Sequence, residues 1–172
     1  MVCFNKERTV LSEIYAITDG TFKDIGTSSD HNDSWTTVSS TIDRTRAESY
    51  TTLTRKADSS SFGYLSKTFG LTDFVIEFDI QFNQSPSASN VWIMSFREGS
   101  TTRQAIVYST LAFSDTEWHH IKFKGNSQSI AYYLDGVKVS DLTPNGTFDR
   151  FQFECRDLGF ELNYKNFVIY PI

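Results

Sequence analysis

The chain has 172 residues and a formal net charge of −5, and 39% of its residues are hydrophobic and 15% aromatic. This apolar content offsets chain entropy, which excludes a disordered chain, and two cysteines are too few for a disulfide framework. No apolar run approaches the roughly 18 residues of a membrane span, and the negative charge argues against general binding to nucleic acid. We therefore expect one domain over residues 1–172, with residues 1–12 as a flexible or linker-derived lead-in.

The N-terminal half of the chain carries weak strand signals at 13–17, 35–38, 50–53 and 62–65, separated by Ser- and Thr-rich loops. Asp24, Asp30 and Asp33 lie in the loop-rich part of this region. Carboxylate oxygens are ligands that calcium prefers, although aspartate is also an ordinary turn former. A structural calcium ion held by these three residues is one hypothesis, and simple turn formation is the alternative.

The strongest signal in the chain is the alternation over residues 74–82. Phe74, Phe78 and Phe82, with two isoleucines between them, share one parity, whereas Glu77 and Asp79 share the other. A period of two is typical of a strand with one buried face, because successive side chains leave opposite sides of the pleat. The pattern predicts a strand with a core face and a polar face.

Further strand patterns follow at 91–96, 104–109, 118–124, 129–134, 137–139, 151–155, 160–164 and 167–170. Asp135-Gly136 separates two of them and is typical of a two-residue hairpin turn with positive φ at both positions. No segment has the pattern of an amphipathic helix. Strands separated by turns, without helical crossovers, predict an antiparallel sandwich or barrel.

Two adjacent histidines follow Trp118. On a regular strand His119 and His120 point to opposite faces, so they do not share one metal ion, and we expect no zinc site. Ile121 and Phe123 have the parity of a core face, and Trp118 has the opposite parity. A bulge near His119 would let Trp118 turn inward.

Four segments resemble concanavalin A-like and laminin-G-like jelly rolls: 74–82 (FVIEFDIQF), 117–123 (EWHHIKF), 130–136 (IAYYLDG) and 162–170 (LNYKNFVIY). The similarity extends over about residues 62–172. It implies an all-β fold, an antiparallel two-sheet β-sandwich of the concanavalin A-like jelly-roll type. It also implies that Trp118 is a core residue. Because this fold serves many functions, the resemblance does not decide between them.

Some glycosidases of this fold, the family-sixteen type, carry Glu-x-Asp-x-Glu on one strand. Glu77, Asp79 and Gln81 resemble that pattern, but Gln81 stands where the resemblance places the acid/base and cannot exchange a proton at neutral pH. We therefore expect no enzyme activity, and an active or degenerate glycosidase is the alternative.

A sugar site needs an aromatic platform beside hydrogen-bonding groups. Trp92 and Trp35 are the candidate stacking residues, with core packing as the alternative for each. We expect one polar face to carry the site. The candidate carbohydrate-binding residues are Trp92, Tyr133, Glu77, Asp79, Gln81, Gln152, Glu154 and Arg156.

The sequence thus predicts a non-catalytic carbohydrate-binding or adhesion module of a larger microbial or viral surface assembly. Its expected partners are a polysaccharide or cell-surface glycan, with sibling subunits or a multidomain parent, and neither nucleic acid nor a membrane. The expected location is extracellular, cell-surface or virion-associated, although the N-terminus lacks the layout of a signal peptide. The alternative is a structural virion or tail domain that binds protein.

Overall fold

The computed structural model describes residues 22–24, 35–57, 62–85, 92–156 and 158–172. In these ranges strands form two antiparallel sheets, and no α-helix occurs. The larger sheet contains β1 (Phe22–Asp24), β3 (Ile42–Arg46), β4 (Thr51–Arg55), β6 (Asp73–Phe82), β9 (His119–Asn126), β10 (Ile130–Leu134), β11 (Val137–Leu142) and β13 (Glu161–Pro171). The smaller sheet contains β2 (Thr37–Val38), β5 (Gly63–Thr68), β7 (Trp92–Glu98), β8 (Thr101–Val107) and β12 (Arg150–Cys155).

Neighbouring strands in the sheets are mostly distant in sequence. The larger sheet has the order β11-β10-β9-β6-β13-β4-β3, with β1 also paired to β13, and the smaller sheet has the order β2-β5-β12-β7-β8. The consecutive strands β12 and β13 lie in different sheets. This arrangement confirms the prediction of an antiparallel two-sheet β-sandwich.

The core lies between the sheets and is dominated by phenylalanine. On β6, Phe78 is fully buried, and its ring centroid lies 5.1 Å from that of Phe153 and 5.7 Å from that of Phe151, both on β12. Burying each such side chain contributes roughly 1.5–3 kcal/mol to folding. The alternation over residues 74–82 therefore identified the face that joins the two sheets.

Trp35 belongs to this core and not to a stacking surface. It is 6% exposed, and its ring centroid lies 4.8 Å from that of Phe167 and 5.3 Å from that of Phe22. The indole N–H donates to the buried carboxylate of Asp24 at 2.5 Å. Its one polar atom is thus paired inside the protein.

A bulge in β13 changes which parity faces the core. Leu162 and Tyr164 are buried before it, and Phe167 and Ile169 are buried after it. Asn166 has φ of 55°, a left-handed conformation that asparagine adopts more readily than most residues. One extra residue shifts the phase of a strand by one position. The sequence patterns at 160–164 and 167–170 are therefore one strand.

The Asp135-Gly136 turn confirms its prediction. Asp135 has φ of 49° and Gly136 has φ of 81°, and the turn joins β10 to β11 with Leu134 opposite Val137.

Strands β1 and β3 have no counterpart among the sequence patterns, and the predicted strand at 13–17 lies outside the described residues. Cys155 is a buried free thiol. None of the described segments forms a helix long and apolar enough to cross a membrane.

Candidate functional site

The polar residues of β6 lie on the outer face of the larger sheet. Because Phe78 and its same-parity neighbours face the core, Glu77, Asp79 and Gln81 face away from it, as the alternation predicts. Glu77 is paired in register with Lys122, and Asp79 with His120, both on β9. Three of the predicted site residues therefore share one surface.

His120 bridges the two acidic residues of β6. Its Nδ1 lies 2.9 Å from Oδ1 of Asp79, and its Nε2 lies 3.4 Å from Oε2 of Glu77. Hydrogen bonds to Asp79 and Glu77 raise the pKa of His120 to about 9, although burial acts in the opposite direction. The ring is therefore an imidazolium at neutral pH, with both nitrogens as donors between two carboxylates.

Glu77 is held ionised by three donors. Burial raises the pKa of Glu77, but hydrogen bonds from His120, Lys122 and Tyr170 outweigh this effect and lower the pKa to about 2. Lys122 Nζ lies 2.8 Å from Oε1 of Glu77, and the Tyr170 hydroxyl donates to the same oxygen at 2.5 Å. Glu77 is thus a carboxylate that cannot act as an acid at neutral pH.

The bulge in β13 places a second hydrogen-bond donor beside Asp79. Its left-handed backbone places Asn166 where the side-chain amide donates to Oδ2 of Asp79 at 2.7 Å. The other carboxylate oxygen contacts His120. Both oxygens of Asp79 are thus occupied by groups of the chain itself.

A row of hydrogen-bonded side chains crosses the same face beside Gln81. The Thr52 hydroxyl donates to Oδ1 of Asn163 at 2.7 Å, and the Asn163 amide reaches Oε1 of Gln81 at 3.5 Å. Gln81 in turn donates to the carbonyl oxygen of Thr116 at 2.9 Å. The row extends over β4, β13 and β6, and Asn163 at its centre is buried.

Trp118 lies on this face, and its predicted place in the core is wrong. It is half-buried, and the ammonium of Lys165 lies 4.2 Å from its ring centroid. The ring centroid of Tyr50 lies 5.7 Å from that of Trp118. The pairing of β9 with β6 is regular as far as His119, so no bulge changes the parity of Trp118. Its parity with His120 was the signal that could have placed it correctly.

Tyr133 lies on the outer face, as predicted. It is opposite Lys122 in register and half-buried, whereas its neighbour Tyr132 is fully buried and donates to the carbonyl oxygen of Leu111. Trp92 begins β7, but its side chain lies outside the described part of the structure. The stacking role of Trp92 therefore stays a prediction.

The prediction of a single polar face that includes Gln152, Glu154 and Arg156 is wrong. Gln152 and Glu154 are on β12 of the smaller sheet, and both are buried on its outer side. Arg156, at the end of β12, pairs with Glu154 at 2.9 Å. The period of two identifies which side chains face outward but not the sheet to which a strand belongs, so two opposite surfaces of the sandwich were joined into one.

Asp24 is not placed to hold calcium, which corrects that part of the calcium hypothesis. Its carboxylate is fully buried, lies 3.4 Å from Arg44 and 3.1 Å from Arg46, and accepts from the hydroxyl of Tyr164 at 2.8 Å. The cations that neutralise it are thus arginines. Asp30 and Asp33 lie outside the described residues, where the calcium hypothesis stays a prediction.

The two adjacent histidines face in opposite directions, as predicted. His119 lies 2.8 Å from Asp115 and 2.8 Å from Asp135, and its ring packs on Phe113 at 4.1 Å. Burial lowers the pKa of His119, but the hydrogen bonds to Asp135 and Asp115 raise it by more. Within the described ranges, no group of three or more His, Cys, Asp or Glu is arranged to hold a metal ion.

Solved structures share this fold at low sequence identity, whereas no protein-family model and no curated protein matches the chain. A sialidase is 10% identical with a TM-score of 0.61, and botulinum neurotoxin type C is 14% identical with a TM-score of 0.56. The apo Crh5 transglycosylase is 13% identical with a TM-score of 0.59. The similarity shows the jelly-roll fold of the β-sandwich.

These structures differ in how much of their length the shared fold represents. The match covers 77% of this chain but 16% of the sialidase chain, and 88% of this chain but 48% of the neurotoxin chain. For the transglycosylase it covers 88% of this chain and 84% of that chain. The chain thus spans less than half the length of the first two proteins.

Proposed function

We propose that the protein is a non-catalytic carbohydrate-binding module whose site is the outer face of the larger sheet around Trp118. The observation that carries this proposal is the position of that indole: half-buried, outside the core, and supported by the ring of Tyr50. Aromatic faces bury the apolar side of a sugar ring, and nearby amides and hydroxyls bond to its rim. Gln81, which is partly exposed on β6, supplies such an amide group.

Two further observations are consistent with this role. Botulinum neurotoxin type C, which has the same fold, depends upon interaction with two ganglioside molecules to enter cells. The charged groups at the centre of the face, Glu77, Asp79 and His120, are fixed by contacts with one another. A pre-formed arrangement of polar groups costs less entropy on binding than a loose one.

The absence of catalysis is part of the proposal and rests on the acid/base position. Hydrolysis of a glycosidic bond needs a carboxylic acid that can donate a proton. The pKa of Glu77 is about 2, and Gln81 has an amide whose N–H is already donated to Thr116. We therefore expect no release of reducing ends from β-glucans. If the wild type released reducing ends and Glu77→Gln abolished this release, the protein would instead be a glycosidase.

Glycan-array binding followed by titration calorimetry tests the binding function. We expect Trp118→Ala to weaken binding of the best glycan at least tenfold, a loss of about 1.4 kcal/mol. Tyr108→Ala is the matched control, because it truncates a half-buried aromatic side chain that packs against the core elsewhere. An array without any binder, or equal effects of the two variants, would contradict the proposal. Either result would favour a structural module that binds protein.

In the cell, such a module would act in adhesion or targeting as part of a larger microbial or viral surface assembly, outside the cell or on a virion. The concanavalin A-like and laminin-G-like sequence resemblance over about residues 62–172 supports this placement. Immunogold labelling of the producing cells or particles with an antibody against the domain would test it.

A further inference from the structure

The outer face of the smaller sheet has a cleft on the side of the sandwich opposite Trp118. Its volume is about 250 Å³, and its lining combines aromatic rings with guanidinium and amide groups. The residues that define its chemistry are Phe62, Tyr64, Arg97, Ser100, Arg150 and Gln152. Pockets for drug-sized ligands measure roughly 300–1,000 Å³, so this cleft suits a smaller molecule or one sugar unit of a chain.

Arg150 is the unusual group in this cleft. No described residue forms a side-chain hydrogen bond or an ion pair with it, and its Nε is buried without a partner. A buried donor that lacks an acceptor is unfavourable, because it has lost its hydrogen bonds to water. Arg97 differs, because it donates to the carbonyl oxygen of Ser100 and lies 3.6 Å from Glu154. The guanidinium of Arg150 is thus available to an incoming acceptor.

The buried carboxylate of Glu154, next to the cleft residue Gln152, already has hydrogen-bond partners. Glu154 is fully buried and accepts from Ser95 at 2.7 Å, from Gln152 at 3.1 Å and from Arg156 at 2.9 Å. Arg97 lies 3.6 Å from the same carboxylate, whereas Arg150 forms no ion pair with a described residue. The charged residues in the described lining of the cleft are Arg97 and Arg150, so this lining favours an anion.

The aromatic wall limits which anion fits. The rings of Phe62 and Tyr64 lie with centroids 6.2 Å apart, and the guanidinium of Arg156 stacks on Phe62 at 4.5 Å. An inorganic anion has no apolar face to pack on these aromatic rings, whereas a sugar ring has one. A planar carboxylate matches the fork of an arginine.

We propose that this cleft is a second binding site, for a sugar unit that carries a carboxylate, with the carboxylate on Arg150 and the ring against Tyr64. The site is independent of the surface around Trp118, since the two lie on different sheets. This proposal can therefore be tested separately from the function proposed above.

The test is a titration of the wild-type protein with methyl glucuronide and with methyl glucoside, followed by calorimetry or by amide NMR shifts. We expect the glucuronide to bind at least tenfold more tightly, with shifts at the cleft residues and weakening by added salt, because the attraction is between charges. Sodium sulfate and sodium acetate identify the source of the affinity. If either salt alone equals the glucuronide, the site is for simple anions and the proposal is wrong.

Three variants separate the contributions. Arg150→Gln should lower glucuronide affinity at least tenfold, and Arg150→Lys should restore part of it, because lysine keeps the charge but not the fork. Arg103→Gln is the control, since it removes a guanidinium of the same sheet that pairs with Glu98. Equal binding of the two glycosides by the wild type would overturn the proposal whatever the variants do.

Discussion

The ammonium nitrogen of Lys165 lies 4.2 Å from the centroid of the Trp118 ring. Lys165 is opposite Asp79 in the register of β13 and β6, so the contact fixes the indole over the outer face of the larger sheet. An indole held by a lysine stem and by the edge of Tyr50 is only partly open to a ligand. Lys165 therefore covers part of the candidate stacking surface.

Removal of that lysine should uncover the ring. A cation–π contact at an exposed site is worth roughly 0.5–1 kcal/mol, so Lys165→Ala should tighten binding of a neutral glycan about two- to fivefold by calorimetry. Lys124→Ala is the control, because Lys124 is an exposed lysine on the same face. Weaker binding by Lys165→Ala alone would mean that the lysine donates to the ligand.

Sequence patterns predicted which side chains face outward more reliably than which surfaces they share. The alternation on β6 placed Glu77 and Asp79 correctly, because a period of two follows directly from the pleat. The pairing of β12 with β5 and β7 depends on contacts between distant segments. No local pattern contains that information, so Gln152 was assigned to the wrong surface.

The sequence did not identify Trp118 and Asn166 as site residues, for two different reasons. Trp118 had the correct parity in the sequence, but the family resemblance favoured the core, and the supporting bulge is absent from β9. Asn166 lies in a real bulge, in β13, that splits one strand into two apparent patterns. A bulge shifts the phase without a clear residue signature, so its position could not be read from local periodicity.

The buried charge cluster at Asp24 should be essential for stability. Asp24→Asn removes the carboxylate charge that pairs with Arg44 and Arg46, which are 11% and 16% exposed, and should lower the free energy of unfolding by about 3 kcal/mol. Urea unfolding followed by circular dichroism measures this change. Asp43→Asn breaks the exposed pair with Lys56 and should cost less than about 1 kcal/mol. Equal costs would show that the arginines are neutralised elsewhere.

Calcium at Asp30 and Asp33 is tested by chelation. At an ion concentration one hundred times the Kd, binding stabilises the folded state by about 2.7 kcal/mol, so EDTA should lower the Tm by about 5–10 °C. Added calcium should restore the Tm, and the double variant Asp30→Asn/Asp33→Asn should not respond. A melting curve that EDTA leaves unchanged would remove the calcium hypothesis.

Gly125 should be irreplaceable in the hairpin that joins β9 to β10. A Cβ at this position would lie 2.1 Å from the carbonyl oxygen of Ser129 and 2.9 Å from Cα of Ile130, so backbone would have to move. Gly125→Ala should lower the free energy of unfolding by more than about 1 kcal/mol, the usual cost of a glycine-to-alanine change where the backbone does not accept it. Gly70→Ala is the control, because nothing lies within 4 Å of its added Cβ. A similar small effect of both changes would contradict this account.

The charge on His120 should make stability fall in the alkaline range. Its pKa is about 9 in the folded protein and near 6.5 in an unfolded chain, so the folded state holds the proton more tightly. The resulting stabilisation is complete below about pH 6.5 and is lost as the pH rises through 9. His120→Gln should therefore show a smaller drop in Tm between pH 7 and pH 10 than the wild type. NMR titration of the imidazole gives the pKa directly, and Asp79→Asn should lower it, because the hydrogen bond to Asp79 is the largest cause of the shift. A wild-type value near 6.5 would mean that His120 does not bridge Asp79 and Glu77 in solution.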